Sequence, residues 1–262
     1  MGISTGAGVV IAQFFGAGNT CKMKRAIHNS IALTLVMGVV LTIVGLLFND
    51  PILKAIGVPS EVFSEASTYL SIYFWSLIFV MVYNMGSGIL RSVGDSKRPL
   101  YFLIFSSVVN IILDFLFVKY FHFGVAGAGY ATLIAQAISA IMVMYVLMKT
   151  EDDYKVVLKE IGFDKEILLK IIKIGLPTGF QQSIVSLSNV IVQSYINVYG
   201  ASVIAGYSVT IKIDGFVNLP LQAFNMAITT FVGQNIGAKQ YDRVKKRSLY
   251  YNSISNTYHC LF

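Results

Sequence analysis

The chain has 262 residues, 55% of them hydrophobic and only 13% charged, with 20 Lys and Arg against 13 Asp and Glu for a formal net charge of +7. A soluble domain has about 25% charged residues, so an ordinary water-soluble globule is excluded, because too few charges remain to keep its outside wet. The basic residues sit between apolar blocks rather than along one face, which excludes a nucleic-acid partner as the reason for the positive charge.

Seven apolar blocks follow one another along the chain. The first, residues 1–18, is short and glycine-rich. The next four are roughly 26–48, 66–90, 99–118 and 125–148. The last two, roughly 168–199 and 202–232, exceed the ~20 residues that one crossing needs and carry Pro177 and Pro220, each of which removes a backbone donor and supplies a kink point. The expected fold class is therefore an all-α membrane protein, a multi-pass helical bundle of about seven spans. The N-terminus lacks a charged n-region and a cleavage site, so no signal peptide is expected.

The breaks between blocks carry a pattern of their own. Residues 18–25, 91–98, 149–173 and 237–247 hold three, three, six and five Lys or Arg, 17 of the 20 in the chain. The intervening breaks hold only Lys54 and Lys119. Basic loops are retained in the cytoplasm during insertion, and the alternation of rich and poor loops is strict. The four basic loops are thus expected inside and the others outside. The longest, 149–173, is charged but places Val157, Ile161, Ile167, Leu168, Ile171 and Ile172 at helical spacing. It reads either as an amphipathic linker lying on the membrane or bundle or as a solvated loop, and it marks the boundary between two halves.

Polar residues inside apolar blocks are costly and need a partner or water. Asp114 has Asn110 four residues before it, on the same helical face. Asp214 has Asn218 four residues later and Tyr207 seven earlier, again on one face. Lys212 lies on nearly the opposite side from Asp214. In the sixth block Gln182, Ser186, Asn189, Gln193 and Asn197 form a narrow stripe. Two readings stand for the stripe. It hydrogen-bonds to neighbouring helices, or it lines a solvated cavity, a reading that Asp114 and Asp214 favour because uncompensated carboxylates call for water or a cation.

No phosphate-binding GxxxxGK[ST] loop, His-Glu-x-x-His or Gly-x-Ser-x-Gly occurs. Cys21 and Cys260 form no framework, and His28, His122 and His259 lack metal spacing. A membrane enzyme and a nucleotide-driven pump are therefore not expected, nor is a metal site. A channel filter motif is also missing. Secondary transport remains, and an internal repetition fits it: Gln13-x-x-Gly16-Ala17 and Gln234-x-x-Gly237-Ala238 each close an apolar run ahead of a basic cluster.

Several segments together resemble the multidrug and toxic compound extrusion (MATE) family of efflux transporters. They are "VIAQFFGAGN", "GILRSVGDSKRPLYFLIFSSVVNIILDFLFV", "GVAGAGYATLIAQ", "IGLPTGFQQSIVSLSNVIVQ" and "FVGQNIGAKQYDRVKK", in family order over about residues 1–250. The resemblance implies a two-lobe bundle, here incomplete: a partial N-terminal lobe (1–148, family helices two to six), the cytoplasmic linker 149–173, and the start of a C-terminal lobe (174–262). The first helix and the last helices are expected to be missing, and the polar end "YYNSISNTYHCLF" stands where the family continues as a span. The resemblance also implies an antiporter in the bacterial inner membrane that exports amphipathic or cationic organic compounds in exchange for Na+ or H+. It implies no cofactor beyond the coupling ion and no obligate protein partner besides the lipid bilayer. Asp114 and Asp214 take the role of ion- and drug-exchanging acids, with sodium a candidate occupant at Asp114 and the amide stripe as cavity wall. A flippase for a lipid-linked saccharide or peptidoglycan precursor, or a non-transporting truncated remnant, are the alternatives.

Overall fold

A computed structural model describes residues 2–196 and 199–247. Among these the chain is helical. The helices are α1 (Gly2–Gly16), α2 (Thr20–Leu47), α3 (Asn49–Ala55), α4 (Ser60–Ser92), α5 (Lys97–Phe115), α6 (Gly124–Lys149), α7 (Lys165–Ile196) and α8 (Ala201–Gly237). A π-helical turn, Leu116–Tyr120, continues α5, and a single 3-10 turn, Leu158–Glu160, interrupts the linker. The multi-pass helical fold is as expected.

Each of the seven apolar blocks falls on a helix. By length and composition, four helical stretches can cross a membrane: α2, α4, α5 with its π turn, and α6. Helix α1 is apolar but has 15 residues. Helices α7 and α8 are long enough, but their amides and hydroxyls dilute their hydropathy. Helix α3 was expected to be a loop. It is a short helix with Asp50 in its first turn and Lys54 in its last, each suited to the helix dipole there.

Helix ends follow local chemistry. Helix α4 stops at Gly94, whose φ of 97° is the left-handed conformation that glycine adopts without strain. The Gly94 and Asp95 amides then donate to the Arg91 and Leu90 carbonyls. Asp95 turns the chain into α5 by accepting from the Arg98 amide at 3.1 Å. Asp164 caps α7, with its Oδ1 accepting from the Glu166 and Ile167 amides at 3.0 and 3.3 Å. This cap starts α7 at residue 165, so the last third of the expected linker is helix.

The chain packs as two compact units. One comprises residues 20–168, the other residues 2–19 together with those from 169 on. The boundary at 168/169 falls inside the linker 149–173, while α1 packs with the C-terminal helices rather than with the rest of the N-terminal segment.

In the first unit α4 packs on both α2 and α6, and α5 packs on α6. Ile27, Met85, Ile89, Leu90, Val143 and Leu147 are almost wholly buried between them. In lipid, close packing and hydrogen bonds rather than water exclusion hold helices together. Gly45 accordingly faces the Phe74 ring, and the Thr42 hydroxyl donates across to the Phe74 carbonyl at 3.1 Å. Val36, Val40, Ile43, Ile104 and Ile111 point outward, as a lipid-facing surface requires.

In the second unit α1 lies against α7 and α8. Gly2 and Gly6 sit on the backbone of Gly175 and Gly179. At the other end α1 meets α8 through the repeated sequence: Gly16 rests on the Gln234 carbonyl and Gly237 on the Gln13 carbonyl, a reciprocal contact of backbone on backbone. The two copies also terminate alike. Ala17, Gly18 and Asn19 donate to Gln13, Phe15 and Phe14, while Ala238, Lys239 and Gln240 donate to Gln234, Ile236 and Asn235. The left-handed position is Gly18 in one copy, with φ 64°, and Lys239 in the other, with φ 58°.

Candidate functional site

Helix α5 brings Asn110 and Asp114 together, as their spacing requires. Both residues are half-buried, yet Asn110 Nδ2 and Asp114 Oδ1 are enclosed and have no hydrogen-bond partner. Leaving a buried polar group unpaired costs about 1–3 kcal/mol, more for a charged one. Two such atoms on one helical face are therefore an unmet demand. The π turn begins two residues beyond Asp114, and such turns occur often at functional sites.

The second carboxylate is arranged differently. Asp214 and Asn218 on α8 are exposed, and Tyr207 is half-buried. Asn218 Nδ2 donates to the Asp214 backbone carbonyl at 2.8 Å, so this pairing leaves the carboxylate out. Lys212 is exposed as well. On α7, residues 181–190 are exposed on every face, so Ile184, Val185 and Leu187 are as open as Gln182, Ser186 and Asn189. Gln193 is half-buried, and Asn197 lies outside the described residues. Among the described residues no neighbouring helix covers Gln182, Ser186 and Asn189. Among the described residues no group of three or more His, Cys, Asp or Glu is placed to hold a metal.

Sequence reading missed a polar junction at the other end of the first unit, where linker 150–164 docks on the start of α2. Val156 is buried, and its amide donates to the Leu147 carbonyl at 2.8 Å. His28 is 3% exposed; its Nδ1 lies 2.7 Å from the Lys24 carbonyl, and its Nε2 accepts the Val157 amide at 2.9 Å. Asn29 Nδ2 donates to the Asp164 carbonyl at 2.7 Å. Lys24 pairs with Asp153 at 3.5 Å and Arg25 with Asp164 at 3.8 Å. A cavity of about 480 Å³ opens beside these residues, lined also by Cys21 and Glu160. Further along the linker, hydrogen bonds from Tyr154, then Thr150, hold the Asp152 carboxyl below the usual carboxylate range, and Arg98 adds to the effect. A second cluster was also missed: Asn49 Nδ2 reaches the Ser67 and Ser71 hydroxyls of α4 at 3.0 and 2.7 Å.

Comparison with known proteins places this geometry in a family. The MatE family model matches residues 1–116 and 177–258. The Probable multidrug resistance protein YoeA of Bacillus subtilis (strain 168) is 33% identical over 253 residues, covering 94% of this chain and 55% of that protein. The chain thus spans about half the length of this relative. A solved outward-facing conformation of a multidrug resistance MATE family transporter of the MOP superfamily superimposes with a TM-score of 0.90 at 26% identity, over 99% of this chain and 58% of the other. A MOP superfamily transporter from Pyrococcus furiosus, whose binding pocket is described as of reverse polarity with a suggested different function, superimposes with a TM-score of 0.91 at 26% identity over the same shares. With both repeated helix ends and helix α5 inside the matched segments, the chain belongs to the MatE family of multi-pass membrane proteins.

Proposed function

We propose that this chain forms the larger part of a secondary active multidrug antiporter, which exports amphipathic or cationic organic compounds in exchange for Na+ or H+ across a bacterial cell membrane. The observation that carries the reading is the enclosed, unpartnered pair of Asn110 Nδ2 and Asp114 Oδ1 in a membrane-spanning helix. A coupling ion or proton answers the demand that the protein's own hydrogen bonds leave open, and neutralising Asp114 lowers the cost of holding a carboxylate at membrane depth. Gln182, Ser186, Asn189 and Gln193, with Asp214, Asn218 and Tyr207, form the cavity wall that meets the exported compound. The multidrug resistance relatives support a drug-sized substrate. The loops at 18–25, 91–98, 149–173 and 237–247 face the cytoplasm, as their Lys and Arg content favours.

The test is Asp114→Asn in the longest reading frame that contains this chain, expressed in cells lacking their own efflux pumps. Gradient-driven ethidium efflux is expected in the wild type and abolished in the variant. Wild-type efflux in the variant removes Asp114 from the coupling step. Absent transport of any cationic dye, with movement of an anionic lipid-linked precursor instead, transfers the assignment to a flippase.

A further inference from the structure

We propose that His28 is a proton-operated clasp that holds the linker 150–164 against α2 when neutral and exchanges that hold for a bond to Glu160 when protonated. Both ring nitrogens have fixed roles. The Lys24 carbonyl can only accept, so Nδ1 carries the hydrogen, and the Val157 amide can only donate, so Nε2 presents its lone pair. This is the neutral ring in one tautomer. A proton added at Nε2 faces the Val157 N–H donor to donor, and that bond must break. The Glu160 carboxylate stands ready for the new N–H, with Oε2 only 3.8 Å from Nε2 on a side chain that is 62% exposed. Histidine is the side chain whose charge changes near neutral pH and drives such switches.

The surrounding charges define the setting. On its own helix His28 is flanked by Lys24, Arg25 and the Cys21 thiol. From the linker come Asp153, Glu160 and Asp164, with Lys155 and Lys159 adjoining. Arg91 ends α4, which packs on α2, and Lys149, at the end of α6, lies over the Tyr145 ring. Lys24 and Arg25 already pair with Asp153 and Asp164, and Glu160 is the carboxylate beside the imidazole. The linker is the covalent connection from α6 to α7. Protonation thus moves the point of attachment three residues along the linker, from the Val157 amide to Glu160, between two anchors that do not involve His28, the Val156–Leu147 bond and the Asn29–Asp164 bond. The His28 clasp operates whichever compound or ion the protein moves.

Amide hydrogen exchange of the full chain in lipid nanodiscs, corrected for intrinsic rates, tests the clasp from about pH 8 to about pH 5, the interval in which imidazole side chains change charge. Wild-type protection at Val157 is expected to fall by about threefold to tenfold on acidification, the loss of one hydrogen bond. His28→Gln, which can accept from Val157 through its carbonyl but cannot protonate, should show no such fall. Glu160→Gln should retain it but require more acid. The 15N signals of His28 should report hydrogen on Nδ1 at the alkaline end, which checks the geometry without any substitution. Constant wild-type protection across the interval, an equal fall in His28→Gln, or hydrogen on Nε2 would each overturn the clasp.

Discussion

Placing a methyl group on Gly16 or Gly237 probes the contact through which the repeated sequence joins α1 to α8. A Cβ on Gly16 would fall deep inside contact distance of the Gln234 carbonyl, and one on Gly237 would do the same at Gln13. Carbon–oxygen contacts settle at about 3.3–3.6 Å, so the helices must part by roughly an ångström or more. The obstacle is main chain, which cannot rotate aside as a side chain would. Overpacking costs about 1–3 kcal/mol, and the upper half of that range applies here. Gly16→Ala and Gly237→Ala are each expected to destabilise the second unit by about 2 kcal/mol, roughly 30-fold in the folding equilibrium. One parting of the helices relieves both methyls, so the double variant should cost about 2–3 kcal/mol rather than the ~4 of independent sites. The assay is equilibrium unfolding of the purified chain in mixed micelles, with helix content followed by circular dichroism. A Gly16→Ala variant within about 0.5 kcal/mol of wild type, the scatter of ordinary surface substitutions, or full additivity in the double variant, would show that the two glycines do not share one tight helix contact.

Three further outcomes are expected. At Gly86 a new Cβ would lie 2.8 Å from both Val143 methyl carbons, which are side-chain atoms able to yield; Gly86→Ala should cost only about 1 kcal/mol in the same titration. Lys239 occupies the left-handed position that Gly18 fills in the other copy, so Lys239→Gly should stabilise the chain by about 0.5–1 kcal/mol while Gly18→Ala destabilises it by a similar amount. Tyr154→Phe removes the main hydrogen bond that holds the Asp152 carboxyl down, and a carboxyl 13C titration should show that group moving back up toward the usual carboxylate range. The sign follows from linkage: a carboxylate lowered on folding stabilises above its unfolded pKa, and that contribution fades as pH falls through the folded value, so the wild type should lose it at lower pH than the variant.

What could be read from the sequence was what depends on neighbours along one helix. The pairing of Asn110 with Asp114 on one face and the equivalence of the two Gln-x-x-Gly-Ala ends are local periodicities, and both are present in the structure. The clasp was hidden because His28 and Val157 lie 129 positions apart, and one partner is a backbone amide that any residue supplies. The early start of α7 was signalled by Asp164, a good cap, but the charges around it read as loop. Helix α3 was missed because seven residues containing Pro51 carry no periodicity to detect. The amide stripe of α7 was visible as a pattern, yet a pattern cannot name its neighbour, and residues 181–190 stand open on all sides.

The α1–α8 crossing has a mechanical consequence. Its spacing is fixed by glycine against carbonyl, with no interposed side chain to compress or re-pack, so the distance between the helices is stiff at that point. The contact is the same from either partner's side, and a change in crossing angle about it favours neither helix. With Ala12 against Gly233 one turn away, the close approach extends along both helices and keys their register as well as their separation.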